Sequence, residues 1–253
     1  MKFNTQSWLT YLIKARHRKG HGIHSPFLYR LITEVVEDKC KYPEYDIYKM
    51  LTAKSSTLLL NNAVTSSLEV HLHEHLISKE PGKLSQKVEL PAKFGKMAFR
   101  LIREFHPSSV IHYGPSLGPI LAVIAMADNF IPVYQTSDSP AYDIFAAALL
   151  KDSAITNIRF LPDDSQSSGR RSFILINYPD DPDRSRMLIQ RLLALHGDDD
   201  VLIFRGIHQS KGMEQIWQEL IGSPLVHVSI DQFEIGIVLF RKGLQKENFI
   251  HRY

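Results

Sequence analysis

The densest chemistry in the chain lies between Val110 and Ile120, which reads VIHYGPSLGPI. Gly114 and Gly118 allow a tight turn and a close approach of ligand to backbone. A helix following the turn would offer free N–H groups and a positive dipole end, both suited to an anion. The spacing Gly-x-Ser-x-Gly also matches a nucleophile elbow with Ser116 as nucleophile. No acid and histidine follow it in a hydrolase arrangement, and a GxxxG turn alone serves strand–helix packing equally well.

A second group stands in RGIHQSKGM, where Arg205, His208 and Lys211 follow an apolar run. Arginine can hold a phosphate or carboxylate in bidentate fashion, and a histidine near neutral pH can act as a general base. Asn177, at the end of SFILIN, offers an amide oxygen. Among the twelve histidines, His71 and His75 stand four apart and would share a helix face, with His73 on another side. Zinc needs three or four converging ligands and no cysteine stands nearby, so a polar helix face is expected there and no metal site. His21 and His24 in HGIHSP are expected to lock the first two helices together, the other reading being that they hydrogen-bond a loop over the pocket. Asp180, Asp181 and Asp183 follow a strand on the functional edge; Asp198, Asp199 and Asp200 precede one and read as a solvated turn. Trp217 and Phe233 read as core.

The elements that must position these groups change character near residue 106. Before it the chain reads as helical: Trp8, Leu9, Leu12 and Ile13 form one stripe, and Phe27, Leu28, Leu31, Ile32 and Val35 form another behind Pro26. PAKFGKMAFRLIREFHP is a third helix, and Thr57 to Ser67 is ambiguous, with a strand-like TLLL beside polar residues. From Ser109, strands alternate with helices: SVIHY, IPVYQT, ITNIRFL, SFILINY, DVLIFR, PLVHVSID and EIGIVLFRK. Such alternation predicts a parallel sheet with right-handed crossovers. Only Gln232 and Phe233 separate the last two strands, so these must pair antiparallel. The expected division is a helical extension over 1–105 packed on an α/β core over 106–253.

Composition narrows the function classes. With 44% hydrophobic and 23% charged residues the chain is an ordinary globular one, and one cysteine excludes an internal disulfide. The opening stretch has its basic residues after the apolar ones, the wrong order for a secretory signal, and no run approaches the roughly 18 apolar residues of a membrane span. A cytoplasmic protein without membrane contact is expected. The formal charge of +3 is mild and sits at the chain ends, so nucleic acid is not the expected partner.

Four stretches in order, HGIHSPFLYRLI, GPSLG, GIHQSKGM and SIDQFEIGIVLFRK, resemble a Bacteroidetes family of class I S-adenosylmethionine-dependent methyltransferase-like proteins, itself similar to small metal-assisted O-methyltransferases. The resemblance implies a doubly wound, mostly parallel seven-stranded sheet with an antiparallel last strand, and S-adenosylmethionine as cofactor. It places His112, Gly114, Ser116, Gly118, Ser137, Asp138 and Arg205 at the cofactor, with His208 and Asn177 as catalytic candidates. The departures are informative. The family's Glu-Leu-Gly is His112-Tyr113-Gly114 here; its ribose-binding acid falls at Ser137, with Asp138 next. Its Asp-Gly-Asn-His is Asn177-Tyr178-Pro179-Asp180, and its Asp-Asp-Ile-His-Trp-Ser is Arg205-Gly206-Ile207-His208-Gln209-Ser210. An upstream Asp-Phe-Gly-Ala-Gly-Ser survives as Asn62 to Ser67. A serine hydroxyl does not replace a carboxylate on two ribose hydroxyls, and Arg205 puts a cation where a metal ligand stands in the family.

The expectation is therefore a methyltransferase-like pseudoenzyme with lost or weakened methyl transfer and a binding role, its ligand a small molecule or an anion at the Gly114–Gly118 turn beside Arg205, and a protein partner left open. The alternative is an active small-molecule O-methyltransferase, with Asp138 as the ribose acid and His112 or His208 as base.

Overall fold

Short apolar runs bounded by turns build a single sheet. The computed structural model describes residues 5–15, 23–60, 84–85, 88–161 and 171–253. Within them lie β1 (Ser109–Tyr113), β2 (Val133–Thr136), β3 (Ile158–Phe160), β4 (Ser172–Ile176), β5 (Val201–Arg205), β6 (Val228–Asp231), β7 (Ile235–Leu239) and β8 (Glu247–Ile250). Their order is β3-β2-β1-β4-β5-β7-β6-β8. β1, β4, β5 and β7 are buried at every position, as strands covered on both faces must be. The reversed strand is β7, wedged antiparallel between β5 and β6. The expected count of seven is corrected to eight: β8 runs parallel to β6 at the sheet edge. Its sequence, ENFI, is too short and too polar to announce a strand.

The helices are α1 (Thr5–Lys14), α2 (Pro26–Arg30) running into a π-helical segment (Leu31–Val36), α3 (Glu44–Leu60), α4 (Ala92–Phe105), α5 (Pro119–Ala125), α6 (Pro140–Leu150), α7 (Pro182–Leu195) and α8 (Lys211–Gly222). Ser25 caps α2, its hydroxyl accepting from the Leu28 N–H, with Pro26 at the first helical position. The strand-like Thr57 to Leu60 is instead the last turn of α3, where Thr57 Oγ1 donates to Ala53 O. His21, His71, His73, His75 and Asn62 to Ser67 lie outside the described residues; His24 is exposed.

Side chains alternate across the sheet with period two. Val110, Phe173, Leu175, Val201 and Ile203 share one core with Leu31 and Ile32, Phe94 and Met97 of α4, and Ile120 of α5. Ile111, Ile174, Leu202 and Phe204 share the other with Leu188 of α7 and Ile216 and Trp217 of α8. The first core thus joins the N-terminal helices to the sheet. Arg100 ties α4 to them as well: buried, it donates from Nε to Val35 O at 2.7 Å and from Nη2 to Val36 O at 2.8 Å, satisfying carbonyls at the end of the π segment. Trp217 and Phe233 are buried, as their type suggests. Asp200 departs from the solvated-turn reading. It is buried, and its two oxygens accept from the Ser172 and Gly197 N–H groups, so it staples the start of β4 to the turn before β5.

Candidate functional site

Chain order reverses between β1 and β4, so the crevice beyond their carboxyl ends is where an open α/β sheet holds a ligand. The register sets Tyr113 beside Ile176, which brings Gly114 against Asn177. Gly114 has φ 123°, and a Cβ there would lie 2.5 Å from Asn177 O, so the position admits glycine alone. Gly118, at φ 107°, leads into Pro119 at the head of α5.

The N–H groups of this turn are already engaged. Glu89 is buried, and its Oε1 accepts from the Ser116 hydroxyl at 3.0 Å and from the Leu117 N–H, while Oε2 accepts from the Ile120 N–H at 3.1 Å. Burial pushes this carboxyl up from its ordinary pKa; the two N–H groups, the Ser116 hydroxyl and the Arg205 charge oppose that shift. Ser116 in turn accepts from the Gly118 N–H at 3.0 Å, which makes it part of the turn rather than an exposed nucleophile.

Arg205 and Asn177 close the same crevice from the β4–β5 side. Arg205 Nη1 donates to Asn177 Oδ1 at 2.7 Å and to Val88 O at 3.1 Å; Asn177 Nδ2 donates to Val88 O at 2.7 Å and Pro115 O at 2.8 Å. Arg205 is 1% exposed. Burial lowers its pKa to about 10, against the pull of Glu89, and it stays a cation at neutral pH. Carboxyls of Glu89, Glu234 and Asp180 act on this cation. Sequence reasoning missed Glu89. Its one signal is a lone acid between Val88 and Leu90, directly before Pro91 and α4, and nothing local links it to Ser116, 27 residues on.

Alternation along β1 puts His112 on the same face as Leu175. It has no exposed surface, and Nδ1 lies 2.6 Å from Gln135 Oε1. Gln135 Nε2 donates onward to Gly114 O and to Asp143 Oδ1, both at 2.9 Å. Burial lowers the His112 pKa to about 4, so the ring is neutral. At the end of β2, the Ser137 hydroxyl donates to Ser139 O at 2.8 Å, and Asp138 pairs with Arg184 of α7 at 2.7 Å.

His208 lies further along the same edge. Its Nε2 is 2.7 Å from Asp231 Oδ2, its Nδ1 is 3.2 Å from Glu214 Oε1, and its ring stacks on Phe233. Burial lowers its pKa, but the two carboxylates outweigh that and the net shift is upward. Both ring nitrogens of the expected base thus lie within hydrogen-bond distance of a carboxylate. Phe233 has φ 68°, uncommon for a bulky residue; the Asp231 carboxylate takes its N–H at 2.8 Å, and Trp8 and Tyr11 of α1 pack on its ring. Of the acidic triplet after β4, Asp181 caps α7 at the Arg184 N–H and Asp180 accepts from Gln209 Nε2. Among the described residues no three His, Cys, Asp or Glu side chains converge as metal ligands, and no helix is long and apolar enough to cross a membrane.

No family model matches the sequence, and no curated protein is similar to it. Solved structures do match the fold. An O-methyltransferase from Bacillus cereus in complex with S-adenosylhomocysteine shares 13% identity over 84% of this chain and 97% of its own, with a TM-score of 0.51. A methyltransferase from Podospora anserina bound to S-adenosylhomocysteine shares 10% over 72% and 96%, with a TM-score of 0.52. An O-methyltransferase from Streptomyces achromogenes in complex with S-adenosylmethionine shares 15% over 69% and 96%, with a TM-score of 0.50. The chain has the class I methyltransferase fold.

Proposed function

We propose that this chain is a methyltransferase-fold protein that has lost or much weakened methyl transfer and now works by binding. One observation carries the reading: the Glu89 carboxyl accepts from the Leu117 N–H of the Gly114–Gly118 turn and from the Ile120 N–H in the first turn of α5, where a fold of this type meets its ligand. Glu89, Ser116, Asn177 and Arg205 hydrogen-bond to groups of the crevice itself. S-adenosylmethionine, which the fold implies, would have to replace Glu89 at the turn, and it would find a neutral, enclosed His112 where the family resemblance puts an acid. Asn177 Oδ1, an oxygen that could face a divalent metal, already accepts from Arg205. The residues present do not fit the cofactor or the metal.

The alternative, an active small-molecule O-methyltransferase, draws its support from the His208–Asp231 pair on the same edge. A general base there would first have to release a carboxylate. Thermal denaturation with rising S-adenosylmethionine or S-adenosylhomocysteine separates the two readings, since a ligand of the native state stabilises in proportion to the logarithm of its concentration. We expect no shift at millimolar ligand; a progressive rise would favour the enzyme.

A further inference from the structure

The opposite, amino edge of the sheet carries a cavity of about 470 Å³ between the start of β5 and the end of β7. Its floor is apolar, from Val201 and Leu239, and one wall is the edge-to-face pair Phe27 and Phe105. Arg30, Arg171 and Arg241 line it, together with three acids. The charges are not equivalent. Glu104 is held by the Arg30 guanidinium, and both oxygens of Asp200 are taken by backbone N–H groups. Asp199 lies 4.0 Å from Arg241 Nε, beyond hydrogen-bond reach, on a largely exposed side chain.

Two guanidinium groups therefore keep donors for a ligand. Among the described residues, Arg171 engages Nη2 on Phe105 O at 2.9 Å, and the Arg241 guanidinium carbon lies 4.7 Å from the centre of the Phe27 ring. Arg171 also holds a left-handed backbone, φ 61°. Non-glycine residues seldom adopt that region, and such strain gathers at ligand sites. Here the Ser108 N–H to Arg171 O bond at 2.9 Å holds the strained residue in place.

We infer that this cavity is a second ligand site, separate from the β1–β4 crevice, that takes a flat ring carrying a phosphate or carboxylate. Guanidinium groups of Arg171 and Arg241 would grip the anion, and the Phe27–Phe105 wall with the Arg241 plane would hold the ring. The volume falls within the usual range for small-molecule sites and accommodates a mononucleotide-sized ligand.

Calorimetric titration of the full chain with adenosine 5′-monophosphate, benzoate, adenosine and inorganic phosphate tests the inference. Saturable binding of the monophosphate or of benzoate is expected, and which of the two binds tells phosphate from carboxylate. Arg171→Gly removes the guanidinium while suiting the left-handed backbone, so the fold should survive it; Arg241→Gln is the second variant. Each should weaken binding by roughly tenfold or more. Failure of both ring-bearing anions at millimolar concentration overturns the site. So does inorganic phosphate binding as tightly as the monophosphate, or affinity unchanged in both variants. None of these outcomes bears on the crevice, which is probed separately with S-adenosylmethionine.

Discussion

Acid should unfold this protein through His112 in a way that can be isolated. Gln135 Nε2 is committed to Gly114 O and Asp143 Oδ1, so its carbonyl oxygen faces His112, and Nδ1 must carry the ring proton. Nε2 is buried with no partner among the described residues, and a proton there would place charge on an apolar face with Arg205 nearby. The folded pKa is depressed from 6.5 to about 4, first by burial and then by Arg205, with the Gln135 bond opposing. A depressed pKa means that the unfolded chain takes up the proton first. Stability is therefore full above pH 6.5 and lost as pH falls toward 4. The gap, 6.5 − 4 = 2.5 units, corresponds to about 3 kcal/mol. Urea unfolding across that range, on the wild type and on His112→Gln, reads the term directly. Glutamine can still donate to Gln135 but does not titrate. The wild type should lose about 3 kcal/mol more than the variant between pH 6.5 and pH 4; parallel curves would refute the assignment.

Other perturbations test neighbouring parts of the account. Glu89→Ala strips acceptors from two N–H groups and a hydroxyl and removes one carboxyl whose charge favours the Arg205 cation, which should cost about 3–5 kcal/mol and lower Tm by roughly 10 °C, with Glu89→Gln milder. A loss under about 1 kcal/mol would mean that the turn does not depend on it. His208 has a raised pKa, so its contribution is whole below its unfolded value and fades as pH rises through the folded one; the stability advantage over His208→Gln, read by thermal denaturation, should shrink from neutral to alkaline pH. A β-carbon at Gly236 would run into the Trp217 ring, so Gly236→Ala should cost about 1–3 kcal/mol in chemical denaturation, while Gly222→Ala, with open space around it, should not destabilise.

Much of the fold was legible because the sheet is written in local code. SVIHY, SFILI and VLIFR read as buried strands, Pro119, Pro140 and Pro182 open helices, and the three residues between β6 and β7 leave room only for a hairpin. β8 escaped because an edge strand needs no apolar run. The candidate site was legible only in part. Gly114, Asn177 and Arg205 do meet at one crevice, as strand ends in a parallel sheet must. Their partners do not follow from spacing: Glu89 reaches the turn from ahead of α4, Gln135 is the polar residue that β2 turns toward His112, and Asp231 reaches His208 from the next strand. Each is a single polar residue whose role exists only after packing, and it is these partners that turn an apparent anion site into one the chain fills with its own carboxylate.

The central claim is that the crevice is occupied by the protein itself. Calorimetric titration of the purified wild type with S-adenosylmethionine, with and without Mg²⁺, tests it most directly. We expect no saturable heat at physiological cofactor concentration in either condition. A dissociation constant in the micromolar range, in either, would contradict the account and favour a working methyltransferase.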